Sequence, residues 1–207
     1  MLSTDITNGQ GNTFYVASAG SNNDTLANGG DNGKHPDTPF LTITKALGTA
    51  TSGDTIIVAP GEYQEAFPMT VPDGVTLRGT NLRSTTVKPT SITNDNNAFI
   101  LSGDCHVSDL TVKDFYYNSG ADEGYAFVVV SNMNSTKSPY VERVTVNTKG
   151  SVTSGSDPYG YAQGDAGRGA KLDGANLAGA SLQSSVLFNE CTFITPCLLY
   201  TSDAADE

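Results

Sequence analysis

Asp157, Tyr159, Tyr161, Asp165, Arg168 and Asp173 crowd into the glycine-rich stretch SVTSGSDPYGYAQGDAGRG and the turn that follows it. Carboxylates in pairs do general acid and base work on a glycosidic bond, and a basic residue beside calcium abstracts a proton next to a uronate carboxylate. The two tyrosines offer flat faces to sugar rings, with Asp165 and Arg168 able to hydrogen-bond hydroxyls. Tyr159, Tyr161, Asp165 and Arg168 are therefore the candidate glycan-binding residues. No residue is assigned as catalytic, because the spacing singles out no reaction and an Asp before Pro or Gly is ordinary turn chemistry. The competing reading packs both tyrosines on the outside of the fold and pairs Arg168 with a neighbouring acid.

Other chemistry is thinner. The segment SAGSNNDTLANGGDNGKHPD, residues 18–37, has the hard oxygens and glycines that calcium takes, but it matches no EF-hand spacing and reads as a solvated surface loop carrying His35. No cofactor or metal is expected. Cys105 and Cys191 are far apart and lack CxxC spacing, so both read as buried free thiols. A formal charge of -11 without a Lys/Arg cluster disfavours nucleic acid. No apolar stretch approaches membrane-spanning length, and Met1-Leu2-Ser3-Thr4-Asp5 has neither the charged start nor the apolar core of a signal peptide.

The elements that must position any such groups are clearest in PFLTITKALGTATSGDTIIVAPGEYQEAFPMTVPDGVTLRG, residues 39–79. Ile43, Ala46, Leu47 and Ala50 fall on one face of a short helix with Thr42 as N-cap. Thr55 to Ala59 is a β-branched strand between Gly53-Asp54 and Pro60-Gly61, and Val75 to Leu77 follows Pro72-Asp73-Gly74. This run resembles the opening of right-handed parallel β-helix proteins of the pectin-lyase-like class. That resemblance implies an all-β, single-stranded right-handed parallel β-helix whose N-terminal capping α-helix plugs the open end. The class contains lyases, hydrolases, adhesins and phage tailspikes, so it implies fold more than function.

The chain continues in the same rhythm. Thr13 to Ala17, Ser84 to Lys88 and Ala98 to Leu101 read as strands, and Ala126 to Val130 as a strand covered on both sides, at a subunit contact on one reading. Three hexamers, starting at Val107, Val141 and Phe188, share the order apolar, two polar, apolar, Thr, apolar. Their alignment puts Leu110 with Val112, Val144 with Val146, and Cys191 with Phe193 in the interior, and stacks Thr111, Thr145 and Thr192 outside. Ala170 to Ser184 contains three pentapeptide-like units, read as a local strand-and-corner pattern within the larger coil.

The organisation expected is a flexible 1–12, a β-helix over 13–196 that is the N-terminal part of a longer protein, and a tail. That tail, CLLYTSDAADE, residues 197–207, looks like a translated sequencing adapter; setting aside its Asp203, Asp206 and Glu207 takes the 22 acids against 11 bases to a charge of -8. KSPYVERVTVNTKG, the tyrosine-bearing segment and LFNECTFITP together resemble tail-fibre and virion structural proteins of marine bacteriophages. The resemblance implies a non-enzymatic homotrimeric shaft on a virion surface, acting outside the cell on host-surface polysaccharide. The alternative is a polysaccharide lyase or glycoside hydrolase of the pectin-lyase-like class. An unpaired edge near Phe193 would make the chain associate.

Overall fold

The computed structural model describes residues 11–23, 32–91, 97–114, 124–129, 137–148, 168–172 and 186–194. In chain order the elements are β1 (Thr13–Val16), α1 (Ile43–Thr49), β2 (Thr55–Val58), β3 (Gly61–Glu65), β4 (Met69–Val71), β5 (Thr76–Gly79), β6 (Thr85–Pro89) and β7 (Phe99–Leu101). They continue with β8 (His106–Lys113), β9 (Tyr125–Val129), β10 (Tyr140–Asn147), β11 (Arg168–Leu172), β12 (Leu187–Asn189) and β13 (Thr192–Ile194). The strands pair in parallel, each with the equivalent strand of the next coil, and the chain is a right-handed parallel β-helix.

Each coil is three short ribbons. One ribbon stacks β1, β2, β5, the first half of β8, the first half of β10, and β12. A second stacks β3, β6, the later halves of β8 and β10, and β13. The remaining ribbon is β4, β7, β9 and β11. The first two are continuous because β8 and β10 bend without breaking. The bend falls on residues with positive φ: Asp109 at 58° and Arg143 at 48°, with Glu190 at 51° in the next coil between β12 and β13. Left-handed backbone costs a non-glycine residue about 1–2 kcal/mol, so the elbow needs compensation from what surrounds it.

The hexamers pile in register, Val107 on Val141 on Phe188. Leu110, Val112, Val144 and Val146 are fully buried, and Thr86, Thr111, Thr145 and Thr192 form one outer column. Burying each such apolar side chain is worth about 1.5–3 kcal/mol, and every coil seals the one before it. Two interior assignments are corrected. Cys191 is only half-buried and Phe193 is 41% exposed, because among the described residues no later coil covers them. Cys105 is buried as expected, and burial pushes its thiol up to about 12, so it stays a protonated apolar filler.

At the front, Thr42 caps α1 by accepting the Lys45 N–H, and Ile43, Ala46 and Leu47 turn inward. The segment read as a solvated loop is more ordered than that in its described parts. Gly33 accepts from Tyr15, Phe40 bridges to Val16, Asn32 is buried, and the Asn22 side chain accepts the Leu41 and Thr42 N–H groups at 3.0 and 3.1 Å. The Asn22 and Asn32 side chains thus hydrogen-bond the chain itself, and among the described residues no cluster of His, Cys, Asp or Glu suits a metal ion. β9 is buried on both faces within the single chain. No described helix is long and apolar enough to cross a membrane.

Candidate functional site

Of the four candidate glycan-binding residues, Tyr159, Tyr161 and Asp165 lie outside the described residues, as do Asp157 and Asp173. The backbone of Arg168 lies at the start of β11, paired with Tyr125, where a loop residue is expected from its glycine-rich neighbourhood. The first two polar positions of the aligned hexamers, which the sequence pattern displays but does not mark as chemical, carry the described site instead.

Stacking puts those positions into columns on the outer face of the first ribbon. One column runs Thr76, His106, Tyr140 and Leu187; the next runs Arg78, Ser108, Glu142 and Asn189. The elbow residues Asp109 and Arg143 stand beside them. A strand period of two sends the alternate residues Leu77, Val107 and Val141 inward, so the polar columns are locked outward by the core.

Asp109 is the centre of charge. Arg143 donates to it through a planar fork, Nε to Oδ1 at 2.6 Å and Nη2 to Oδ2 at 2.9 Å, and Arg78 Nε stands 3.4 Å from Oδ2. The bond from Arg143 holds the Asp109 carboxyl below its usual range, against the effect of burial. The third guanidinium nitrogen, Nη1, reaches Glu142 Oε1 at 2.5 Å, so a single arginine lies between two carboxylates. Asn189 Nδ2 donates to the Tyr140 hydroxyl at 3.1 Å and to Glu142 Oε1 at 3.4 Å. His106 stacks on Tyr140, centroids 4.8 Å apart, and its Nε2 faces Glu142 Oε2 from 3.7 Å, beyond hydrogen-bonding distance. Burial holds the imidazole below its ordinary pKa, with Glu142 opposing, so it is neutral at pH 7.

A surface groove of about 330 Å³ among the described residues lies elsewhere, between α1 and β4, and is lined by Leu47, Pro68, Met69 and Pro72 among others. None of its lining side chains titrates, whereas the charged face of the first ribbon gathers carboxylates, guanidinium groups and an imidazole.

Several depressed carboxylates give a pH prediction. Bonds from Lys113 and Lys88 bring Glu62 down to about 2, and Lys137 and Arg143 depress Asp73 and Asp109. Asp54 is lowered as well: burial acts against this, but its bonds to Thr51 and Asn12 prevail. A carboxylate with a depressed folded-state pKa adds stability that is present above its unfolded value and lost as pH falls through the folded one. His106, lowered too, charges more readily when unfolded and adds a loss that begins below its ordinary value of 6.5. The melting temperature is thus expected to decline from about pH 6 and fall more steeply below about pH 4. Circular-dichroism melts across that range check this, and a flat profile would contradict it.

Comparisons with known proteins bear on fold and extent. Residues 25–98 match a family described as a protein of unknown function, DUF1565. No curated protein matches the sequence. Among solved structures the chain is similar to pectin methylesterase PemA from Erwinia chrysanthemi, at 15% identity and a TM-score of 0.49, covering 87% of this chain and 48% of that one. A pectin methylesterase mutant in complex with a hexasaccharide matches at 15% identity and a TM-score of 0.47, with the same coverage. The chain thus spans about half the length of these structures. They are enzymes, not tail-fibre or virion components, and the reading as a non-enzymatic phage shaft is corrected on that account.

Proposed function

We propose that this chain is part of a polysaccharide-degrading β-helix, a glycoside hydrolase whose glycan lies along the outer face of the first ribbon. The observation that carries the reading is the arrival of two carboxylates from successive coils, Asp109 and Glu142, on one open face beside the stacked rings of His106 and Tyr140. Hydrolysis of a glycosidic bond divides its work between two such groups. Asp109, kept as the anion by Arg143, takes the stabilising or nucleophilic part, and Glu142, on the same guanidinium, is the second carboxylate of the pair. Arg143 fixes both side chains relative to each other, and Asn189 links Glu142 to the aromatic pair.

The test is reducing-sugar release from a panel of polysaccharides, with folding checked by circular dichroism. Asp109→Asn and Glu142→Gln are each expected to lower turnover by about a hundredfold, the low end of what a positioned acid or base contributes. Undiminished turnover in both variants would remove the carboxylate pair from the chemistry. Release of unsaturated uronate products would replace hydrolysis with elimination.

A further inference from the structure

The geometry points to an uncharged glycan as the ligand of this face, in preference to a uronate polymer; the inference rests on the glycan-binding reading above. The reason is charge matching. Arg143 spends its fork on Asp109 and its remaining nitrogen on Glu142, while Arg78 faces Asp109 at 3.4 Å. Two guanidinium groups thus meet two carboxylates, and neither cation stands apart from an acid. A sugar carboxylate entering here would have to displace one of those acids from its partner, at the desolvation cost of leaving a carboxylate unmatched. The whole chain, at -11, adds repulsion at longer range.

What the face does offer suits hydroxyls and C–H surfaces. The His106 and Tyr140 rings cover each other's facing sides and are partly exposed, so a sugar lying across the column would meet ring edges and the Tyr140 hydroxyl. Around it, Asn189 and Glu142 supply donors and acceptors, and Thr76 shares the aromatic column. Arg78, with a side chain 60% exposed, can donate to a hydroxyl while keeping Asp109 in view.

The experiment compares calorimetric titrations of the full chain with thio-linked cellohexaose, xylohexaose and hexagalacturonate, whose sulfur bridges resist cleavage, at low and high salt. At least one neutral oligosaccharide is expected to bind about tenfold more tightly than hexagalacturonate, a difference of about 1.4 kcal/mol, with an affinity that salt leaves unchanged. Tyr140→Leu, which keeps apolar bulk without a ring, is expected to weaken neutral binding by about fivefold. Glu142→Gln removes one carboxylate and exposes a guanidinium surplus, so hexagalacturonate binding is expected to strengthen two- to fivefold, about the worth of an exposed ion pair. Tighter binding of hexagalacturonate by the unmodified chain, weakened by salt, would overturn the inference while leaving the glycan-binding reading intact. Binding of none of the probes would overturn both.

Discussion

Gly79→Ala is expected to destabilise the chain by about 3–4 kcal/mol, at the upper end for overpacking. A methyl group built on Gly79 would lie 2.1 Å from the carbonyl oxygen of Asp109 and 3.1 Å from Cβ of Thr85. The first contact is with backbone of the next coil, at the elbow where β8 turns from one ribbon into the other, so no rotamer change relieves it. Moving Asp109 away disturbs a residue already at φ 58° and the fork that Arg143 places on its carboxylate. The strain therefore spreads into the candidate site as well as the core. With an m-value of about 2 kcal/mol/M, the urea midpoint should drop by about 2 M. Gly48→Ala is the internal control. Its added methyl meets nothing within 4 Å, and in the last turn of α1 it should raise stability by about 0.5 kcal/mol. Equal effects at the two positions would refute the steric account of Gly79.

The same elbow shows what could be read from sequence and what could not. The alignment of the hexamers at Val107, Val141 and Phe188 fixes the register correctly, because apolar residues two apart must share the interior and threonines between them must share the outside. The helix was equally legible, since its spacing and its Thr42 cap are local signals. The bend was not. Asp109, Arg143 and Glu190 adopt positive φ without a glycine to announce it, so the division of one eight-residue strand between two ribbons has no compositional mark. The candidate site was hidden for a related reason. Asp109 and Arg143 stand 34 residues apart and Glu142 and Asn189 stand 47 apart, and only the stacking of coils makes them neighbours. The two polar positions in every hexamer were the available clue: once register is known, equal positions become columns, and a column of Arg78, Ser108, Glu142 and Asn189 is a surface with chemistry. Tyr159 and Tyr161, close neighbours in the chain, lie outside the described residues, so stacking neither joins them to these columns nor separates them from them. β3 and β4 carry no clear sequence mark either, since Gly61–Glu65 and Met69–Val71 are too short for a period of two to stand out.

The second large effect is expected at Glu65, whose carboxylate is buried at the front of the coil. A buried acid is costly unless its oxygens are satisfied, and here the helix supplies the donors. The first four N–H groups of any helix lack intrahelical partners. In α1 they are all accounted for: Thr42 donates to Asn22 Oδ1 at 3.1 Å, Ile43 to Glu65 Oε1 at 2.7 Å, Thr44 to Oε2 at 3.1 Å, and Lys45 to the Thr42 hydroxyl at 3.2 Å. The Thr44 hydroxyl adds a bond of 2.6 Å to Oε2. The positive end of the helix therefore meets a negative charge carried by β3, and the plug is fastened to the coil electrostatically as well as through Ile43 and Leu47. Glu65→Ala leaves the Ile43 and Thr44 N–H groups without acceptors in a dry setting, and a loss of about 3 kcal/mol is expected. Glu65→Gln retains one acceptor oxygen but turns an amide N–H toward helix donors, and should cost about 2 kcal/mol. Thr44→Val deletes only the hydroxyl bond and should cost about 1 kcal/mol. The order of the three in urea melts separates an electrostatic fastening from simple packing. If Glu65→Gln proved as stable as the unmodified chain, the charge would be irrelevant and apolar contact alone would hold the helix in place.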